Sequence, residues 1–233
     1  MSVIKPFARS KDMPVPKSVA IVAMGDSAGD YLRAAATVGD RRLVADETWC
    51  VNSMGSAIQH DLLFHMDDLK VQETKTDWSP YVKGTLAYLK THPFFLTSKA
   101  YDDYPGSHPY PLDKVLKAFG VPYLNTTAAY AIAYALLIGV EKLLIFGFDF
   151  TYPNLHQGEQ GRGCVEYWLG VATARGVQVV TGPNTTLLDA AEPWSKKIYG
   201  YGGYNVSNEQ GEIVLRPKES SEQELRYKFG IGG

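Results

Sequence analysis

Short apolar runs alternate with helical patterns along most of this chain. Four of these runs are short and are interpreted as buried strands, and the second and third of them are too short to form convincing helices. They are residues 17–24, 48–52, 62–66 and 94–98. Between the third and fourth runs, apolar residues recur at helical spacing over 79–92, where Ser79 is a suitable N-cap and Pro80 a suitable first helical residue.

The second half of the chain repeats this alternation with longer elements. Residues 125–139 are apolar on nearly all sides after a polar start, and Gly139 stands where a helix ends, which predicts a buried helix. A strand at 141–149, a helix at 162–176 and a strand at 177–182 follow. This order predicts an α/β fold: a Rossmann-like, mostly parallel sheet with helices on both faces.

The end of the chain differs in character from the rest. Two alternating segments flank the turn sequence NEQG at 208–211, which predicts a β-hairpin extension at the C-terminus. The predicted organisation is a leader at 1–16, a nucleotide-binding domain at 17–194 and a Gly/Tyr-rich extension at 195–233.

Composition limits the classes of function. With 233 residues, 45% hydrophobic, and a formal net charge of −2, the chain has enough core for one domain and no basic field for nucleic acid. Two cysteines cannot form a disulfide framework. The N-terminal stretch has no apolar signal region, and no segment predicts a membrane span. We therefore expect a cytoplasmic protein, and the aromatic tail makes a homo-oligomer plausible.

Ligands of open parallel sheets bind beyond the carboxyl ends of the strands, so the residues there are the candidates. Gly25, Asp26 and Ser27 follow the first strand, where small residues fit either a phosphate site or a tight turn with a helix cap. Asn52 and Ser53 follow the second strand and suit either a base or ribose edge or an ordinary turn.

Two adjacent acids follow the third strand. Asp67 and Asp68 fit a divalent cation held together with substrate phosphates, and equally the cap of the next helix. A further polar loop, GPNTTLLD at 182–189, ends the last predicted strand and fits a helix cap.

The sequence LLIFGFDFTYPNLH at 143–156 carries the densest chemistry. Its buried strand delivers Asp149, Tyr152 and His156 to one edge of the sheet. A histidine suits removal of a hydroxyl proton near neutral pH, a tyrosine hydroxyl can donate to phosphate, and an aspartate can orient either. These three are the candidate catalytic residues.

Several segments together resemble a known family. VAIVAMGDSAGDY, CVNSMG, LNTTAAYAIAYALLIGVEKLLIFGFDFTY and VQVVTGPNTTLLD, spread over about 17–190, are similar to the bacterial lipooligosaccharide sialyltransferases and the related motility accessory factors, which are thought to glycosylate flagellin. The most specific part is 125–152. The first loop departs from the family, which has Gly-Asn-Gly-Pro-Ser where this chain has Gly-Asp-Ser.

The resemblance implies roles for individual residues. It implies that Gly25, Asp26 and Ser27 bind the nucleotide phosphates, that Asn52 binds the nucleotide or donor sugar, and that Thr126 and Thr127 line the nucleotide pocket beside Asp149. Tyr152 would donate to the leaving phosphate without a metal. His156 would be the general base, although the histidine of the family corresponds to about 160–162 here.

Three functions follow as hypotheses. The first is a nucleotide-sugar-dependent glycosyltransferase that needs no cofactor, with a glycan, protein or modified nucleic acid as acceptor and the aromatic segments 101–110 and 196–204 as acceptor walls. The second is a Mg²⁺-dependent pyrophosphokinase, because the archaeal 6-hydroxymethylpterin diphosphokinases are more distantly similar and Asp26, Asp67, Asp68 and Asp149 would suit magnesium. The third is a nucleotide-binding module without catalysis.

Overall fold

The computed structural model describes residues 14–151 and 153–218, so most of the predicted leader, Tyr152 and residues 219–233 lie outside the described part. The chain divides into two compact units between Leu188 and Asp189. The sequence prediction put this boundary after residue 194. No helix among the described residues has both the length and the apolar character needed to cross a membrane.

The first unit contains alternating strands and helices. The strands are Ser18–Val22 (β1), Glu47–Val51 (β2), Leu62–Phe64 (β3), Phe95–Thr97 (β4), Ser107–Pro109 (β5), Lys142–Phe146 (β6) and Gln178–Thr181 (β7). The helices are Ala28–Val38 (α1), Leu69–Glu73 (α2), Pro80–Thr91 (α3), Leu112–Phe119 (α4), Thr127–Ile138 (α5) and Leu155–Ala174 (α6). Short 3₁₀ helices span Arg41–Leu43, Asn52–Ser56 and Leu187–Asp189.

All seven strands form one parallel sheet in the order β5-β4-β3-β2-β1-β6-β7. The chain moves outward from β1 to β5 and then returns to place β6 on the other side of β1. The direction of winding therefore reverses between β1 and β6, where doubly wound sheets open a crevice for ligands. The predicted fold class is confirmed.

Strand side chains alternate between two hydrophobic cores. Val19 and Ile21 of β1 face the core that contains α5 and α6, whereas Ala20 and Val22 face the core that contains α1 and α3. Because both faces of the central strands are covered, these strands are apolar at almost every position, which is why they appear in the sequence as continuous apolar runs.

The helix signals in the sequence correspond to real caps. Ser79 Oγ accepts from the N–H of Val82 at 3.3 Å, and Pro80 is the first residue of α3. Thr126 Oγ1 accepts from the N–H of Ala129 at 3.2 Å at the start of α5, which ends at Gly139 with a φ of +88°.

Some elements differ from the prediction. Helix α6 begins at Leu155 rather than at 162, because Asn154 caps it through the N–H of Gln157. The glycine-rich first turns of this helix hide its periodicity. The edge strand β5 and helix α4 were not predicted, since each has a single buried residue, Ser107 and Val115 respectively.

The prediction that the aromatic segment 101–110 forms an acceptor wall is wrong. Tyr101, Tyr104 and Tyr110 are all buried, with Tyr104 wholly inaccessible. Tyr101 and Tyr104 pair in a small turn that packs into the core below α3, and Tyr110 packs against Tyr130 of α5. Their ring faces are therefore used inside the protein and are closed to a sugar.

The second unit contains a short helix and a hairpin. Helix α7 spans Trp194–Lys197, and Tyr204–Glu209 (β8) pairs antiparallel with Glu212–Pro217 (β9). Gln210 and Gly211 form the turn with positive φ values of +55° and +94°, as expected of a two-residue hairpin loop. The predicted hairpin is confirmed.

Candidate functional site

A cavity of about 360 Å³ opens at the carboxyl ends of β1, β2 and β6, at the reversal point of the sheet. The N-terminus of α5 and the loop that follows β6 complete its wall. The lining residues are Ala23, Met24, Gly25, Val51, Asn52, Asp67, Asn125, Thr126, Thr127, Ala128, Gly147, Phe148, Asp149, Phe150, Thr151 and Gln157.

Two glycines let the loops after β1 and β6 approach each other. The N–H of Gly25 donates to Gly147 O at 2.8 Å, and a Cβ on Gly25 would lie 2.4 Å from Asp149 Oδ2. Gly147 has a φ of +76°, and its Cβ would lie 2.2 Å from Ala23 O. No other residue type fits at either position, so this contact fixes the position of Asp149.

Asp149 is buried at the floor of the cavity with one oxygen in use. Its Oδ2 accepts from the N–H of Ser27 at 2.7 Å. Its Oδ1 is buried and has no hydrogen-bond partner among the described residues. A carboxylate can accept hydrogen bonds at both oxygens, and a buried acceptor left unpaired lowers the free energy of unfolding by about 1–3 kcal/mol. We therefore expect a ligand or a water molecule to donate to Oδ1.

Asn52, which also lines the cavity, has a second unpaired acceptor. It follows β2 with a φ of +54°, in the left-handed region that asparagine tolerates better than most residues. Its Oδ1 is buried without a partner among the described residues. Phe150 also lines the cavity with a φ of +50° and packs against Gly161, where a Cβ would lie 2.7 Å from its ring. Strained backbone of this kind concentrates at ligand sites.

Helix α5 turns its positive end toward the cavity. Thr126 caps the helix and Thr127 is its first residue, and both line the cavity together with Asn125 and Ala128. The first turn carries no acidic side chain. The partial positive charge of a helix N-terminus and its free N–H groups suit an anion such as phosphate.

The sequence candidates separate into two groups. The structure brings Gly25, Asn52, Asp67, Thr126, Thr127 and Asp149 to the cavity. It leaves Asp26 exposed on the loop and Ser27 buried, with its N–H on Asp149 and its Oγ accepting from the N–H of Gly147 at 3.1 Å. Ser53 faces a neighbouring small cavity.

Asp68 and His156 also stand away from the cavity. Asp68 Oδ1 accepts from the N–H groups of Lys70 and Val71 as the cap of α2, and these bonds lower its pKa. His156 is exposed in the first turn of α6, where Gln160 Nε2 donates to its Nε2 at 3.0 Å. Tyr152 lies outside the described residues.

The cavity also contains residues that sequence reasoning missed. Asn125, Phe150, Thr151 and Gln157 line it, beside candidates that the sequence did single out. Two of them could have been identified from their place next to a helix start. Asn125 comes directly before the cap of α5, and Gln157 lies in the first turn of α6.

The charged lining residues are acidic. Among the described residues that line the cavity, Asp67 and Asp149 are charged, and none is Lys or Arg. Within the described part of the chain, no group of three or more His, Cys, Asp or Glu side chains is arranged to hold a metal ion. Asp67 and Asp149 alone remain as carboxylates for a cation bridged by substrate phosphates.

Comparison with known proteins gives a likeness at low identity. No family model matches the chain, and no curated protein matches it. Among solved structures, the sialyltransferase CstII from Campylobacter jejuni in complex with a substrate analogue, CMP-3FNeuAc, is 15% identical with a TM-score of 0.46, covering 93% of this chain and 100% of that chain. The same enzyme with cytidine-5'-monophosphate is 16% identical with a TM-score of 0.47 and the same coverage. Identities and TM-scores of this size do not assign an activity to this chain.

Proposed function

We propose that this protein is a nucleotide-sugar-dependent glycosyltransferase whose donor binds in the cavity between β1, β2, β6 and α5. The observation that carries the proposal is that Asn52 and Asp149, each of which has a buried and unpaired side-chain oxygen, line the same cavity as the N-terminus of α5. A nucleotide offers the matching groups, since it has hydroxyl and N–H donors at one end and a phosphate at the other.

The charge of the cavity supports a donor with one phosphate group rather than two. Asp67 and Asp149 line it without a Lys or Arg among the described lining residues. A helix N-terminus contributes about half a unit of positive charge. This suits the single charge of a phosphodiester in a nucleoside monophosphate sugar better than a diphosphate, which would need a further cation.

The chemistry is transfer of a sugar to an acceptor hydroxyl. The acceptor oxygen bonds to the anomeric carbon, the bond from that carbon to the phosphate oxygen breaks, and the nucleotide leaves with the electron pair. The N-terminus of α5 would stabilise the charge that develops on the phosphate. The sequence resemblance also assigns Tyr152 to the same phosphate and His156 to the acceptor proton as its base, and both roles are part of the proposal. Since His156 does not line the cavity, this base role requires the acceptor to reach the first turn of α6.

A panel of nucleotide sugars tests the proposal. We expect a CMP sugar to raise the melting temperature of the protein without magnesium, and UDP and ADP sugars to act less. Asp149→Asn should abolish the shift because it replaces the unpaired acceptor by a donor, whereas Asp102→Asn at an exposed turn should leave it unchanged. Stabilisation by none of the panel, with or without magnesium, would rule the proposal out.

Turnover separates an enzyme from a binding module. Release of the free sugar or its transfer to added glycans, followed by chromatography, is expected from the glycosyltransferase. Binding without any release of nucleotide would favour the non-catalytic alternative.

One observation favours a second candidate, a magnesium-dependent pyrophosphokinase. Asp67 and Asp149 line one cavity, and Mg²⁺ is often held by one or two carboxylates together with substrate phosphates. Asp68 and Asp26 do not line that cavity. This candidate predicts stabilisation by ATP only with magnesium, lost in Asp67→Asn, while a metal-independent transferase would keep its response to the CMP sugar.

A further inference from the structure

A second cavity of about 80 Å³ lies beside the main one. Asn52 and Asp67 line both cavities, so the small one adjoins the main one at these residues. The other residues that line the small cavity are Ser53, His65, Gln72, Tyr81, Val82 and Thr85. Sites that bind a whole ligand usually measure about 300–1,000 Å³, so this space fits one arm of a ligand held in the main cavity.

A chain of hydrogen bonds fixes the tautomer of His65. Asp67 Oδ2 accepts from Gln72 Nε2 at 3.0 Å, and a carboxylate can only accept, so the amide of Gln72 must face Asp67 with its nitrogen. The amide oxygen then faces His65, 3.0 Å from Nε2. His65 Nε2 must therefore carry the proton, which leaves a lone pair on Nδ1.

That lone pair is buried and unused. His65 is 1% exposed, and its Nδ1 has no hydrogen-bond partner among the described residues. The nearby hydroxyls of Ser53 and Tyr81 are hydrogen-bonded to each other. No described residue donates to Nδ1, so a hydroxyl of a ligand in the small cavity is a suitable donor.

We propose that the small cavity is a subsite for a hydroxyl-bearing arm of a sugar, and that this hydroxyl donates to His65 Nδ1. The proposal rests on the glycosyltransferase function, which places a nucleotide in the adjoining cavity. About 80 Å³ accommodates a group such as a hydroxymethyl, given that water occupies about 30 Å³. The sugar can belong to the donor or to the acceptor, since both carry the same chemistry.

Nitrogen NMR of the intact protein tests this contact directly. Of five histidines, His65 is assigned by the resonance that disappears in His65→Leu. We expect its Nδ1 signal to move on addition of a CMP sugar and to stay in place with CMP alone. A shift with free methyl galactoside or free N-acetylneuraminic acid but not with the CMP sugar would assign the subsite to the acceptor.

Affinity gives a second measure. We expect His65→Leu to weaken binding of the sugar probe about tenfold and to leave binding of CMP unchanged, because one hydrogen bond to the sugar is lost. Val82→Leu, which leaves His65 intact and fills the cavity, should act in the same direction. Val71→Leu makes the same change at an exposed position of α2 and should have no effect.

The outcomes are distinct from those that test the proposed function. If no nucleotide binds, that function fails, but a shift of Nδ1 with a free sugar would still support the subsite. If saturating CMP sugar and both free sugars leave the His65 signal in place, the cavity holds water only and the proposal is overturned. Retained sugar affinity in both His65→Leu and Val82→Leu would overturn it as well.

Discussion

The amino ends of the strands form one edge of the seven-stranded sheet, the amino edge, and their carboxyl ends form the other, the carboxyl edge. Buried polar side chains are fully hydrogen-bonded at the first and partly unpaired at the second. At the amino edge, Asp61 lies directly before β3 and is 5% exposed. Both of its oxygens are paired: Arg41 donates at 2.5 and 3.0 Å, Arg42 at 2.6 Å and the N–H of Thr48 at 2.8 Å. Burial alone would raise the pKa of Asp61, but these donors outweigh it and lower the pKa.

A pair of buried histidines at the same edge is satisfied too. His60 Nδ1 donates to Ile58 O at 3.0 Å, and His92 Nδ1 accepts from the N–H of Phe94 at 3.2 Å. The remaining contact, 3.0 Å between the two Nε2 atoms, is therefore a hydrogen bond from His92 to His60. With both rings neutral, each of the four ring nitrogens has a hydrogen-bond partner.

The carboxyl edge contains the unsatisfied groups. Four buried side-chain atoms lack a partner among the described residues: Asn52 Oδ1, His65 Nδ1, Thr97 Oγ1 and Asp149 Oδ1. The first three belong to the last residue of a strand or to the residue directly after one, and Asp149 lies in the loop three residues after β6. Because an unpaired buried group lowers stability, this asymmetry identifies the edge at which a ligand is expected, independently of cavity shape.

The largest expected effect concerns the backbone at the carboxyl edge. It tests whether the close contact between the loops after β1 and β6 is needed for stability. Gly147→Ala should destabilise the protein by about 4 kcal/mol, from the positive φ and from overlap with Ala23 O. Gly139→Ala, with a similar φ but open space around it, should cost about 1 kcal/mol. Urea denaturation gives both values, and equal costs would show that the close contact at Gly147 is unimportant.

The next effect tests the amino edge. Asp61→Asn should lower the free energy of unfolding by about 3 kcal/mol, because Arg41 and Arg42 lose their buried counter-charge. Asp102→Asn at an exposed turn is the control and should change stability by less than about 0.5 kcal/mol. A loss at Asp61 no larger than the control would contradict the assignment of this edge as the stabilising one.

The histidine pair predicts an acid-sensitive stability. Burial and the neighbouring His60 lower the pKa of His92 to about 4, so between about pH 6.5 and 4 the unfolded chain binds more protons than the folded one. Stability should be full well above pH 6.5 and fall by about 2 kcal/mol between pH 7 and pH 5, which covers the upper part of this range.

Denaturation midpoints at pH 7 and pH 5 measure this dependence. His92→Gln should flatten it, while His108→Gln at an exposed position should leave the slope unchanged. An unchanged slope in the His92 variant would remove the pair as its cause.

The smallest expected effect on stability is at Asp149, on the carboxyl edge. Asp149→Asn should change the free energy of unfolding by less than about 1 kcal/mol, because the new amide oxygen can still accept from the N–H of Ser27. The residue is as buried as Asp61, 7% against 5% exposed. A loss as large as that of Asp61→Asn would mean that the two edges do not differ.

The sequence predicted the central part of the fold because burial on both faces produces continuous apolar strands. It also predicted the N-cap Ser79 and the helix end at Gly139, because both depend on hydrogen bonds within a few residues. Strand β5 and helix α4 escaped because edge elements bury few side chains and so leave no periodic pattern.

The candidate site was predictable in location and less so in detail. The rule that ligands bind at strand ends brought Asn52 and Asp149 forward, and the structure brings both to the cavity. It could not distinguish Asp67 from Asp68, since only the backbone direction after β3 decides which of the two caps α2. Nor could it find His65 Nδ1, whose availability depends on the amide of Gln72.

The pairing of β1 with β6 has a consequence for synthesis of the chain. It joins Ser18–Val22 to Lys142–Phe146, so one edge of the first strand waits for residues more than a hundred positions later, and contacts of such separation form slowly. Until then the nascent chain exposes an apolar strand edge, which is prone to aggregate. A truncated chain that ends before β6 would lack the ligand cavity and keep that edge open.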